Sequence, residues 1–433
     1  MFGVGAKRPF CEILWLKSRE GVEVGSEIWY NMRQQMNVCF ETFGCRLNRA
    51  EALEDEARYV AAGHHVVSSH ADADLIVVRA CSVTARAERD CIKLVHHLQG
   101  KYPGKRLAVV GCIRTTQKKP EPKLDEVEGS AAGVGVATRT ARAYLKVQDG
   151  CSGACTFCIV PQFRGKSVSV GFEEVLGKAR RFIEAGYHEL VVTGCNLALY
   201  AAGGKRLPEL VGALAELDKN CRVRLGSIEP GACAMELIHV MAEKENICRF
   251  LHVPVQSGSD RILSAMKRPY KIHEADELMN EAVKLMPFMG LGCDLMTGFP
   301  DEGEMDFRLT QGFLKRHVIS KAHIFPYSVR PRTAAAAMVP MVPEGTRKLR
   351  AHELLEVAEE SRKAYARHFA HRDVEVVIER NSSLEGWTSE YLWFKETKRG
   401  GFAAPKLVES QRKKLMKFHV RSVHDGVLYG ERI

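Results

Sequence analysis

The chain has 433 residues, enough for two or three domains. It is 45% hydrophobic and 27% charged, a globular balance that excludes a disordered or fibrous protein. A net charge of +10 is compatible with a nucleic-acid partner without demanding one, and no run approaches the roughly 18 apolar residues of a membrane span.

Fourteen cysteines are many. Lys7, Arg8 and Glu12 argue against a secretory leader, so metal-bound thiols in a reducing cytoplasm are expected rather than disulfides. Residues 1–35 have no clear hydrophobic period and read as a disordered extension. A chain starting at Met36 is expected to keep full activity.

From Met36 an alternating βα pattern begins. Asn37 to Thr42 reads as a strand, followed by a turn through Gly44 and Cys45 and a helix. Asp74 to Val78 is a nearly continuous apolar strand, of the kind buried in a parallel sheet. A basic helix over 86–99 and a strand over 106–110 follow. Three strands thus run into Cys45, Cys81 and Cys112. Carboxyl ends of parallel strands share one sheet edge, where ligands bind, so the three thiols are expected to converge. Residues 113–140, rich in Lys, Pro, Gly and Ser, read as a linker.

Next comes Cys151-Ser-Gly-Ala-Cys155-Thr-Phe-Cys158, after a mostly apolar strand at 144–147. The C-x3-C-x2-C spacing puts three sulfurs on one tight loop, where they can ligate three irons of a [4Fe-4S] cluster. The fourth iron is left open for chemistry. Zinc would want a fourth Cys or His nearby, and none follows before His188. The eight cysteines outside the two triads read as small buried hydrophobes.

Further strands end near Gly194, Gly226, Val255, Met296 and Phe325, with helices between. With the strand before Cys151 they make six, which suggests an open partial (β/α)6 barrel. On the residues alone, Gly194-Cys195-Asn196 is a β-to-α turn, and Ser259 or Asp260 caps a helix. A charged helix from Glu344 to about Ala370 packs between domains. The last 60 or so residues change to short β-branched and aromatic strands, a small β-barrel. Its lysines and arginines, with Trp387 and Tyr391, suit phosphate attraction and base stacking. The fold class is therefore α/β. An open parallel sheet domain (36–125) precedes the partial barrel (140–370) and the small β-barrel (371–433).

The cysteine motif resembles the signature of radical S-adenosylmethionine (SAM) enzymes. The text around it, Val147-Gln148-Asp149-Gly150-Cys151, Cys158-Ile159-Val160-Pro161 and Arg164-Gly165, is similar to the methylthiotransferase family. So are Phe43-Gly44-Cys45 with Asn48, Cys81-Ser82-Val83-Thr84 and Gly111-Cys112. Arg79 stands where that family usually has Asn.

The resemblance implies two [4Fe-4S] clusters, one on Cys151, Cys155 and Cys158 and an auxiliary one on Cys45, Cys81 and Cys112. It implies SAM as cofactor, with Phe157, Gly194, Asn196, Ser227, Glu229, Gln256 and Arg268 around it. The C-terminal barrel is similar to a TRAM domain, with Trp387, Tyr391, Lys395, Lys398 and Arg399 as RNA-binding residues. The implied partners are tRNA and an electron donor such as flavodoxin or ferredoxin; a monomer without a membrane partner is expected. The branch most resembled modifies N6-threonylcarbamoyladenosine beside the tRNA anticodon. The alternatives are isopentenyladenosine in tRNA and an aspartate of a ribosomal protein. A non-catalytic iron–sulfur RNA-binding or electron-transfer protein stands as the reading outside this class.

Overall fold

The computed structural model describes residues 22–24, 35–112, 140–380, 384–397 and 414–433. Its contacts divide into two compact units. The first holds residues 1–137 together with 157–165 and 328–336; the second holds 138–156, 166–327 and 337–433.

The first unit is built on a five-stranded, all-parallel sheet. Its strands are β1 (Val22–Val24), β2 (Asn37–Thr42), β3 (His65–Val66), β4 (Leu75–Cys81) and β5 (Arg106–Cys112), in the order β1-β5-β4-β2-β3. Strand β4 is buried along its whole length, as its apolar run requires in a sheet covered on both faces. Its alternate residues feed two cores. Ile76, Val78 and Ala80 pack with Cys91, Val95 and Leu98 of helix α2 (Ala85–Lys101). Leu75 and Val77 pack with Phe40 and with Tyr59 of helix α1 (Arg46–Ala61). Thr84 caps α2 by accepting from the Ala87 N–H at 3.2 Å.

One expectation is corrected here. Residues 22–24 are not part of a disordered tail, because Val22 to Val24 pair in parallel with Leu107 to Val109. An edge strand of a parallel sheet offers unpaired N–H and C=O groups, and a short extra strand satisfies them. The rest of the 1–34 segment and the linker at 113–139 lie outside the described residues.

In the second unit six parallel strands form the partial barrel. Strands β6 (Ala143–Lys146), β7 (Glu189–Thr193) and β8 (Arg222–Leu225) pair in the order β8-β7-β6. Strands β9 (Phe250–Gln256), β10 (Gly290–Thr297) and β11 (Ile319–Pro326) form the other half. A parallel bridge between Ser227 and His252 joins the halves. This is the α/β architecture that the sequence indicates.

The C-terminal strands β12 (Asp373–Arg380), β13 (Glu385–Thr388), β14 (Trp393–Glu396), β15 (Leu415–His424) and β16 (Val427–Arg432) close a five-stranded barrel. It shares one compact unit with the six-stranded barrel. Glu189, fully buried on β7, accepts from Arg222 and from Arg224 (2.7 Å) on β8. Those arginines donate onward to the carbonyls of Trp387 (2.8 Å), Thr388 (2.7 Å) and Ser389 (3.1 Å). Burial alone would raise the Glu189 pKa. Arg222, Arg224 and Arg142 overcome that and hold the carboxyl well below its usual range. The segment 387–389 is thereby fastened to the amino-terminal ends of the barrel strands.

Candidate active site

In the first unit the three cysteines converge as their strand ends require. Cys81 and Cys112 are paired in register at the ends of β4 and β5, and Cys112 O accepts from the Ser82 N–H at 2.9 Å. Cys45 caps the start of α1. Gly44 brings it close: its φ is +91°, and a Cβ there would lie 2.8 Å from Cys81 Cβ. Asn48 ties the loops together by donating to Phe43 O (2.8 Å) and Ala80 O (3.0 Å).

Arg164, from the short helix α3 (Val160–Arg164), was not singled out as a site residue in the sequence. Its side chain is 4% exposed. Nε donates to Cys112 Sγ (2.8 Å), Nη2 to Asn48 Oδ1 (3.0 Å), and the fork grips both oxygens of Glu51 (2.7 and 3.0 Å). Glu51 also accepts from Arg79 at 2.7 Å, and Arg79 pairs with Asp55. The arginine in place of the family's Asn therefore finds two carboxylates on α1. Burial pushes Cys112 up to about 12 against the pull of Arg164, and burial raises Cys81. Three soft thiols beside a fixed cation suit an iron–sulfur cluster, whose binding would displace their protons.

In the second unit Cys151 and Cys155 sit on the loop after β6. The Gly153 N–H donates to Cys151 Sγ at 3.3 Å. Cys158 follows beyond the unit boundary after Thr156, and Phe157 lies beyond it too.

Around Cys155 runs a continuous polar chain. Arg268 Nη1 donates to Cys155 Sγ (3.1 Å), Arg268 pairs with Glu229, and Asn196 Nδ2 donates to Glu229 (2.6 Å). Arg268 Nε also donates to Tyr270 OH (3.0 Å). Gln148 accepts the Asn196 N–H (2.9 Å) and donates to Gly150 O (2.6 Å), which fixes the cysteine loop to the end of β7. Gly194 permits this, since a Cβ there would lie 2.8 Å from Gln148 Oε1. Sequence reasoning missed Gln148, although it directly precedes the Asp-Gly turn.

Among the described residues, Asn196 Oδ1 and Gln256 Oε1 are buried acceptors with no hydrogen-bond partner. Orphaned acceptors fit a ligand carrying N–H donors, as the amino group of SAM does, and Asn196 is joined through Glu229 and Arg268 to Cys155. Gln256 has a left-handed φ of 69°, a conformation held only where its surroundings enforce it. The structure thus links Gly194, Asn196, Glu229 and Arg268. Ser227 is turned elsewhere: its Oγ meets His252 Nδ1 at 2.9 Å.

Sequence analysis also missed a group on β9 to β11. Asp294 Oδ1 lies 3.0 Å from His323 Nδ1 and 3.5 Å from His252 Nε2, and Lys321 is on the same strand face as His323.

Tyr391, expected to stack on bases, packs against the barrel. Its ring stacks between Phe250 (4.8 Å) and Trp387 (4.5 Å, 10° apart), with Lys321 Nζ 4.1 Å from its centroid. The aromatic pair seats the 387–391 segment on the barrel. Lys395 lies 3.8 Å from Glu385. Lys398 and Arg399 lie outside the described residues.

Two family models match the chain: the Radical SAM superfamily over residues 145–314 and the Uncharacterized protein family UPF0004 over 37–132. The chain is 31% identical over 405 residues to the threonylcarbamoyladenosine tRNA methylthiotransferase MtaB of Aquifex aeolicus, covering 85% of this chain and 97% of that protein. It is 29% identical to a tRNA-2-methylthio-N(6)-dimethylallyladenosine synthase of Mycobacteroides abscessus, over 73% of this chain and 72% of the other. Among solved structures, the radical SAM methyltransferase TsrM of Kitasatospora setae superposes with a TM-score of 0.50 at 13% identity, over 70% of this chain and 77% of that one.

Proposed function

This chain belongs to the radical SAM methylthiotransferase family, and from that premise we propose that it adds a methylthio group to C2 of N6-threonylcarbamoyladenosine in tRNA. The observation that carries the substrate choice is the polar group of His252, Asp294 and His323 on the barrel strands. A threonylcarbamoyl arm has a carboxylate, a hydroxyl and amide groups to match it. An isopentenyl arm has none, and would strip water from groups it cannot pair. Each such loss costs about 1–3 kcal/mol, roughly 5- to 150-fold in discrimination. The extent of likeness supports the same choice: 97% of the Aquifex threonylcarbamoyladenosine enzyme is covered, against 72% of the dimethylallyladenosine synthase.

Cys151, Cys155 and Cys158 would hold a [4Fe-4S] cluster, which would supply the electron for reductive cleavage of SAM. Asn196 Oδ1 and Gln256 Oε1 would accept from the SAM amino group. Arg268, held by Glu229, keeps a positive charge against Cys155. Cys45, Cys81 and Cys112 would hold a second cluster, which would supply the sulfur-carrying site, and Arg164 fixes Cys112. The tRNA is the macromolecular partner, and a small electron-transfer protein the reductant. The test is nucleoside mass spectrometry of tRNA from cells with and without the gene. The methylthio form of threonylcarbamoyladenosine should vanish with the gene; its persistence at unchanged level would refute the reading.

A further inference from the structure

The polar group has a geometry beyond general polarity. His252, Asp294 and His323 come from three neighbouring parallel strands, with Asp294 directly opposite His323 in register. One ligand atom from each lies within 4.8 Å of the other two. Asp294 Oδ1 is central, 3.0 Å from His323 Nδ1 and 3.5 Å from His252 Nε2. A metal about 2.0–2.2 Å from each of two ligands that meet at about 90–110° holds them roughly 3.0–3.5 Å apart. Both spacings to Asp294 fall in that range, and the two imidazoles lie within 4.8 Å of each other.

The surroundings agree. His252 has its second nitrogen, Nδ1, fixed by Ser227 Oγ at 2.9 Å, the outer-sphere hydrogen bond that orients an imidazole ligand. The His252 side chain is 5% exposed, whereas that of His323 is 55% exposed, so the group is closed on one side and open on the other. Lys321, the nearest cation along β11, has its ammonium over the Trp387 and Tyr391 rings at 4.8 and 4.1 Å.

We propose that His252, Asp294 and His323 form a binding site for a divalent transition-metal cation, separate from the two cysteine triads. Two imidazoles and one carboxylate suit zinc, ferrous iron or manganese and leave coordination positions vacant. The open side lets an oxygen-rich ligand fill them. That the ligand is the threonylcarbamoyl arm rests on the function proposed above; metal binding does not.

Zinc is the probe. Cluster-loaded protein is equilibrated with Zn2+ without oxygen, desalted, and read by metal analysis and zinc K-edge absorption. One retained equivalent with a nitrogen and oxygen shell containing imidazole is expected. His323→Ala and Asp294→Asn should weaken retention at least tenfold, with iron content and melting temperature unchanged. His323 is half exposed, so its replacement leaves the core intact, and Asp294→Asn keeps the side-chain shape. No retained zinc, a sulfur shell, or retention unaffected by both variants would overturn the site. Zinc binding in a protein that transfers no methylthio group to threonylcarbamoyladenosine would sink the proposed function and leave the site standing.

Discussion

Replacing Arg164 with Gln tests whether this one side chain fixes the auxiliary cysteine group. The guanidinium makes two hydrogen bonds to Glu51, one to Asn48 and one to Cys112, at 2.7 to 3.0 Å. A glutamine amide can replace at most one or two of them. Glu51 keeps Arg79 as a partner, so the full 3–5 kcal/mol cost of stranding a buried charge does not apply. Hydrogen bonds to charged groups contribute about 1.5–3 kcal/mol each, and part of that survives, so a loss of about 2–3 kcal/mol is expected. For a unit of this size that is a fall of roughly 4–12 °C in melting temperature. The assays are calorimetry, iron per chain, and product analysis after SAM and dithionite. Iron content and methylthio product should fall while 5′-deoxyadenosine still forms, because the Cys151 loop is untouched. Arg164→Lys should restore charge without the fork and rescue only partly. A melting shift under about 1 °C with full iron content would refute the positioning role.

Further outcomes follow from the second unit and the sheet edge. Glu189→Gln leaves three buried arginines short of their carboxylate and should cost about 3–5 kcal/mol, read by urea unfolding; an unchanged midpoint would contradict the network. Tyr391→Ala removes a ring stacked on both faces and should destabilise by about 3–5 kcal/mol while leaving the salt slope of tRNA binding unchanged; loss of affinity without loss of stability would restore a base-stacking role. The buried thiols of Cys91 and Cys221 are pushed up to about 12, so the unfolded chain loses these protons first. Metal-free protein should therefore keep this stability below about pH 8.5 and lose it between there and pH 12, by up to about 1.4 kcal/mol per pH unit per thiol. A flat alkaline profile in chemical denaturation would contradict that burial. Deleting residues 1–35 removes β1 and bares the β5 edge, so melting temperature should fall; no change would mean that the pairing contributes nothing.

Much of the barrel was legible because its signals are local. Six strand segments, separated by helical ones, can each be read from a few consecutive positions. So can a triad of cysteines within eight residues. The convergence of Cys45, Cys81 and Cys112 followed from one rule about parallel strand ends. Pairing register is not local. Nothing in the sequence near His252, Asp294 or His323 says that they face each other, because that depends on how three strands align. Arg79 was legible as a departure from a pattern, but its carboxylate partners on α1 were not. Trp387 and Tyr391 look like an RNA surface in composition; only packing reveals that Phe250 takes one face of Tyr391.

The central claim is tested most directly with purified, cluster-loaded protein, SAM and reductant. Two otherwise identical tRNAs are offered, one with threonylcarbamoyladenosine and one with isopentenyladenosine, and the nucleosides are weighed. Methylthio transfer to the first, at least tenfold faster than to the second, is predicted. Equal rates, or a preference for the isopentenyl substrate, would contradict the account.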